Sequence, residues 1–128
     1  MKEWSHLPNA RHIDWVLASF KETPELWNAA RAAAWDAARA AAWDAARDAA
    51  WENVWIAARF AARAAAFDAA FDVISALVAY DDCDKFLSMS YERLKVWAVL
   101  SEDPRAVLLL PMIYVKEKLN EQSMVTSA

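Results

Sequence analysis

At 128 residues the chain has the length of one domain, and a domain of this size buries roughly two thirds of the surface its unfolded form exposes, enough for a core without staples. Basic residues number 14 and acidic ones 18, interspersed, for a net charge of −4; this excludes the basic stripe of a generic nucleic-acid binder and the acidic block of a DNA mimic. Glycine is absent, prolines number 4 and alanine dominates, which removes the turn and strand residues of sheets and predicts an all-α protein, read as a single helical domain over 1–128.

The start, Met1-Lys2-Glu3-Trp4-Ser5-His6, mixes charges where a signal peptide would carry a basic cap and an apolar run. Cys83 is the single cysteine, so no internal disulfide can form and a reducing cytosol is the expected setting. A first helix is predicted over about 9–21, because Ile13, Val16, Leu17 and Phe20 recur at helical spacing. The next start signal is stronger. Thr23 is placed to cap free backbone N–H groups, Pro24 suits the first helical position, and Glu22 and Glu25 complement the positive end of the helix dipole.

From Pro24 to Tyr80 there is no further proline, and alanine, the best helix former, fills most positions. The prediction is one long helix over about 24–80, roughly 85 Å if continuous. Its weakest point for a break is near 51–55, where alanine is thinnest and Asn53 suits a helix end. Asp81-Asp82-Cys83-Asp84 reads as a capped turn, since clustered aspartates favour local backbone bonds over helix interior. Short helices are predicted over about 90–100, with Tyr91, Leu94 and Trp97 on one side, and over about 104–120. The last has Asp103-Pro104 as its capped start, a kink expected at Pro111 and a frayed tail from Ser123. Its apolar run, Ala106 to Val115, is about half of what a membrane-spanning helix requires.

The predicted long helix is periodic. Trp27-Asn28-Ala29-Ala30-Arg31 is followed by Trp35-Asp36-Ala37-Ala38-Arg39 and Trp43-Asp44-Ala45-Ala46-Arg47 at a period of eight, and Trp51, Trp55, Arg59, Arg63, Phe67 and Phe71 continue a beat of four. Four residues turn an α-helix through about 400°, so each large side chain lies some 40° beyond the last and the stripe circles the helix once in about 54 Å. Such a corkscrew of indoles cannot hide along one stripe. It predicts a homo-oligomer in which Trp27, Trp35, Trp43, Trp51, Trp55, Phe67 and Phe71 form the oligomer or partner interface. Asp36 with Arg39 and Asp44 with Arg47 are spaced to pair, and Arg31 with Trp35 to stack. A second expectation for the same residues is a pocket in which Trp35, Arg39, Trp43 and Arg47 sandwich a nucleotide base and hold its phosphate.

These Trp-Asp-Ala-Ala-Arg repeats, together with Arg11-His12-Ile13-Asp14-Trp15-Val16-Leu17-Ala18, Ala79-Tyr80-Asp81-Asp82-Cys83 and Ala106-Val107-Leu108-Leu109-Leu110-Pro111, resemble a family of uncharacterised proteins of tailed bacteriophages. The resemblance covers nearly the whole chain. The repeat alone is also similar to Ala-Ala-Arg-Ala-Ala-Trp runs of proteins assigned to bacterial immunity. The phage resemblance implies an origin, with localisation in the host cytoplasm, and brings no activity with it.

No catalytic set is expected. Asp81, Asp82 and Asp84 match no calcium loop, and the glycine such loops need is missing. His6 and His12 are the only histidines, too few for a zinc site without distant help, and Cys83 beside three acids should be an inert thiol with a raised pKa. Neither a phosphate loop nor a Ser-His-Asp set is present, so no metal, cofactor or enzymatic activity is expected. The sequence therefore predicts a phage accessory protein that acts by binding: an inhibitor of a host defence or regulatory protein, working as a helical homo-oligomer without membrane or generic nucleic-acid contact. A nucleotide-signal sponge and a structural or assembly component of the virion are the alternatives.

Overall fold

The computed structural model of the chain describes residues 4–38, 41–50, 69–101 and 103–127. Among these residues every regular element is a helix, in accord with the all-α expectation. In chain order they are α1 (Ala10–Glu22), α2 (Pro24–Ala37), α3 (described over 41–50), α4 (Ala69–Ala79), α5 (Asp84–Leu87), α6 (Tyr91–Ser101) and α7 (Pro104–Ser127).

Two helices form the centre. In α4 every residue from Ala70 to Val78 is buried, and in α7 the run from Ala106 to Ile113 is buried as well. A helix that is apolar on all sides has to lie inside a protein, and each fully buried Leu, Ile or Val contributes about 1.5–3 kcal/mol of transfer free energy. α7 packs against α2, α4, α5 and α6, while α1 packs against α2 and α4. The α7 helix continues through Pro111 and past the predicted end, to Ser127.

The continuous rod predicted over 24–80 does not form. α2 ends at Ala37, and Ala38 is extended at φ −129° and ψ 141°, well before the expected weak point; 51–55 itself lies outside the described residues. Packing supplies the reason. On a continuous helix Trp27 and Trp43 would point about 160° apart, so no single core would take both. With the break, both indoles are fully buried in one core, and the buried sets Trp27, Ala30, Ala34 and Trp43, Ala46, Ala50 repeat the same spacing. The burial of a second indole offsets the helical hydrogen bonds given up at one alanine.

Thr23 also departs from expectation. Its hydroxyl donates back to the Ser19 carbonyl at 2.8 Å and makes no side-chain cap to α2, whose first turn closes on the Thr23 carbonyl instead. Ser19 in turn accepts the buried Trp27 indole N–H at 2.8 Å. Asn9 precedes α1, yet its amide donates to the carbonyls of Leu77 at 3.0 Å and Tyr80 at 2.6 Å, where α4 has run out of helical partners. Asp103 caps α7 as expected, accepting the Arg105 backbone N–H at 2.9 Å.

Candidate binding face on helix α6

α6 carries more apolar side chains than one stripe can hide. Leu94 and Ala98 turn inward and are fully buried, and the helix packs on α7. The start of α6 is tied down by the Glu117 carboxylate of α7, which accepts the Tyr91 backbone N–H at 2.7 Å, and by the Ser90 hydroxyl, which accepts that of Arg93 at 3.2 Å. Val96, Trp97, Val99 and Leu100 then remain outside, at 55%, 45%, 55% and 76% exposure. They present an apolar strip on the order of 400 Å², the size of the largest apolar patch on a typical monomer, which is often functional. The third helix has the predicted extent to within a residue, and of the side formed by Tyr91, Leu94 and Trp97 only Leu94 is fully buried while Trp97 stays 45% exposed. The missed signal was the run Val96-Trp97-Ala98-Val99-Leu100, which is apolar all the way round.

Two grooves flank the strip. One, of about 650 Å³, lies between α2 and α6 and is lined by Ala33, Asp36, Ala37, Tyr91, Lys95 and Val99 among others. Ala33 and Ala37 are one turn apart, so the α2 side offers small methyl groups beside the Asp36 carboxylate. The Tyr91 hydroxyl is buried here without a hydrogen-bond partner among the described residues, and burial, then the neighbouring Glu92, pushes its pKa up to about 12.

The other groove, of about 590 Å³, lies between α5, α6 and the start of α7. Arg105 organises it. Its guanidinium donates to Asp103 at 3.0 and 2.8 Å and to Asp82, and it covers the Phe86 ring at 4.9 Å. These hydrogen bonds hold the Asp103 and Asp82 carboxyls below the usual carboxylate range, and they raise the pKa of Arg105 itself. Lys85 sits over the same ring at 5.2 Å and 3.5 Å from Asp82.

The residues singled out by the repeat are distributed differently. Trp27, Trp43 and Phe71 are buried in the chain's own core at 0%, 1% and 8% exposure, so their cover comes from this chain and not from another subunit. Trp35 is 40% exposed. Trp51, Trp55, Phe67 and Arg39 lie outside the described residues. Of the expected nucleotide pocket, Trp35 and Trp43 stack on each other with centroids 6.1 Å apart, and Arg47 lies over both rings at 5.3 and 5.7 Å. Arg31 covers Trp35 at 5.6 Å, the predicted stacking contact. Arg47 also donates to both oxygens of the buried Asp72 at 2.9 and 3.0 Å, which raises its pKa. The two indoles are thus engaged by each other and by Arg47, with Trp43 buried and Trp35 still partly exposed. Asp72 was not anticipated, although a single carboxylate inside an apolar helix signals a cation nearby.

The acidic turn holds no concentrated charge. Arg105 and Lys85 engage Asp82, and His12 meets Asp84 at 2.8 Å. Among the described residues no group of three or more His, Cys, Asp or Glu side chains converges to hold a metal ion. Cys83 is buried, its thiol near the Tyr80 carbonyl at 3.4 Å, and burial, then Asp82, pushes its pKa up to about 12. Among the described residues no helix is long and apolar enough to cross a membrane. No protein-family model, curated protein or solved structure matches the chain.

Proposed function

We propose that the chain is a binding protein with no reaction of its own, which associates with protein, including further copies of itself, through the outward face of α6. The supporting observation is the concentration of exposed large apolar side chains, Val96, Trp97, Val99 and Leu100, on one short helix whose other side is firmly seated in the core. A stable interface buries about 800 Å² on each partner, so the strip serves as its centre and the flanking grooves as its margins. The groove between α2 and α6, floored by Ala33 and Ala37, suits close approach of a helix from a second copy. In the setting that the phage resemblance implies, the target is a host defence or regulatory protein.

The test is molar mass in solution. Light scattering of the wild-type chain gives a mass above 14.4 kDa at micromolar concentration, and the pair of substitutions Val99→Asp and Leu100→Asp returns it to the monomer with an unchanged far-UV spectrum. A wild-type chain that stays monomeric at every concentration overturns the self-association. Unaltered capture of co-expressed host defence proteins by the doubly substituted chain overturns the assignment of the face.

The nucleotide-sponge reading has less support, since Arg47 is engaged by Asp72 and the two indoles by each other.

A further inference from the structure

The groove between α5, α6 and the start of α7 is set apart from the rest of the surface by charge. The whole chain carries −4, yet Lys85, Arg93 and Arg105 all stand on this groove, against the single acid Asp103 among its lining residues. Arg105 and Lys85 are balanced by Asp103 and Asp82. Arg93 is not: it is exposed and makes no ion pair among the described residues. Between these cations the walls are apolar. The buried Phe86 ring lines it alongside Met89, Val96 and Trp97. Methionine and tryptophan together make a surface that adapts to varied apolar side chains.

We propose that this groove receives an amphipathic helical segment of the partner protein whose apolar face is flanked by carboxylates. The apolar side chains lie between Met89, Val96 and Trp97, and a carboxylate pairs with Arg93 at the rim. This inference rests on the reading of α6 as the binding face and gives the chemistry of what that face recognises. A segment of basic character is disfavoured, because it would set like charges against Arg93 and Lys85. A nucleotide is disfavoured as well: the Arg105 guanidinium is already taken by Asp103 and Asp82, which repel phosphate at the place where Arg105 would hold it.

Two fluorescein-labelled amphipathic helical peptides test the proposal. Both carry the same Leu and Phe face, and they differ only in flanking residues, Glu in one and Lys in the other. Fluorescence anisotropy with the full chain shows the Glu peptide binding at least about tenfold more tightly than the Lys peptide at low salt, with the difference shrinking as salt is raised. Arg93→Glu, at an exposed position, reverses that order, while Trp97→Ala weakens both peptides. Equal affinity for the two peptides, or an order unchanged by Arg93→Glu, overturns the proposal. So does displacement of a bound Glu peptide by ATP in a manner that depends on Arg93, which assigns the site to a nucleotide. If neither peptide binds while the Val99→Asp and Leu100→Asp pair still lowers the molar mass, the charge recognition is wrong and the reading of α6 as a binding face stands.

Discussion

Arg47 and Asp72 illustrate how much a single pair governs. Asp72 is almost fully buried on α4 and accepts from Nε and Nη2 of a guanidinium that also covers two indoles. Asp72→Ala leaves that guanidinium, at 29% exposure, without its bidentate acceptor. The expected loss is about 2–3 kcal/mol, read from urea unfolding, with Asp72→Asn costing less because one acceptor oxygen remains. The Arg105 cluster acts through pH. Arg105 holds the Asp103 and Asp82 carboxyls low in the folded chain, whereas in the unfolded chain they return to about 3.9. Their contribution is therefore complete above that value and is lost as pH falls through the lowered folded-state values. Urea midpoints should be steady at neutral pH and drop as pH falls below about 4. Arg105→Gln should lower stability by about 1–2 kcal/mol at pH 7 and flatten the acid drop. An acid limb that is identical in both chains contradicts this account.

At the scale of elements, the break at Ala38 is the point at which local preference and packing disagree. Alanine, arginine and aspartate around it give no stop signal, and Ala38 is a good helix former. A peptide of residues 24–50 lacks α4 and α7, so nothing rewards placing Trp27 and Trp43 in one core. Its Ala38 should show helical Cα and amide chemical shifts, in contrast to the extended Ala38 of the full chain. An extended Ala38 in the peptide would mean that the local sequence sets the break. The other helices were more legible. α1 and α6 sit within a residue or so of their predicted spans because apolar spacing and boundary residues agree with the core's demand. The Asp103-Pro104 start of α7 was readable for the same reason, since a cap and a first-turn proline act within a few residues. Asn9 shows the opposite case: its position before α1 suggests a local cap, but the groups in need are the carbonyls of Leu77 and Tyr80, distant along the chain.

For the molecule as a whole, the expected need for outside cover was transferred from one helix to another. On a straight rod the indoles would point in directions that no short flanking helix reaches. Once the rod is interrupted, Trp27, Trp43 and Phe71 are all buried in one core of the chain's own residues. Among the described residues most of the large apolar surface left over is on α6, because both core helices already have neighbours and the run Val96-Trp97-Ala98-Val99-Leu100, apolar all the way round, can bury only one side against α7. The proposed self-association and the proposed acidic recognition both follow from that leftover surface. The sequence by itself determined the all-α class, the four-residue beat of large side chains and the acidic neighbours that help raise the Cys83 pKa, since these depend on glycine-free propensity and on neighbours close in sequence. Only the tertiary structure decided where the long segment breaks, which indoles are hidden and which face remains open. Those outcomes turn on which surfaces can be buried together, and burial is a competition among distant parts of the chain that spacing along one helix does not record.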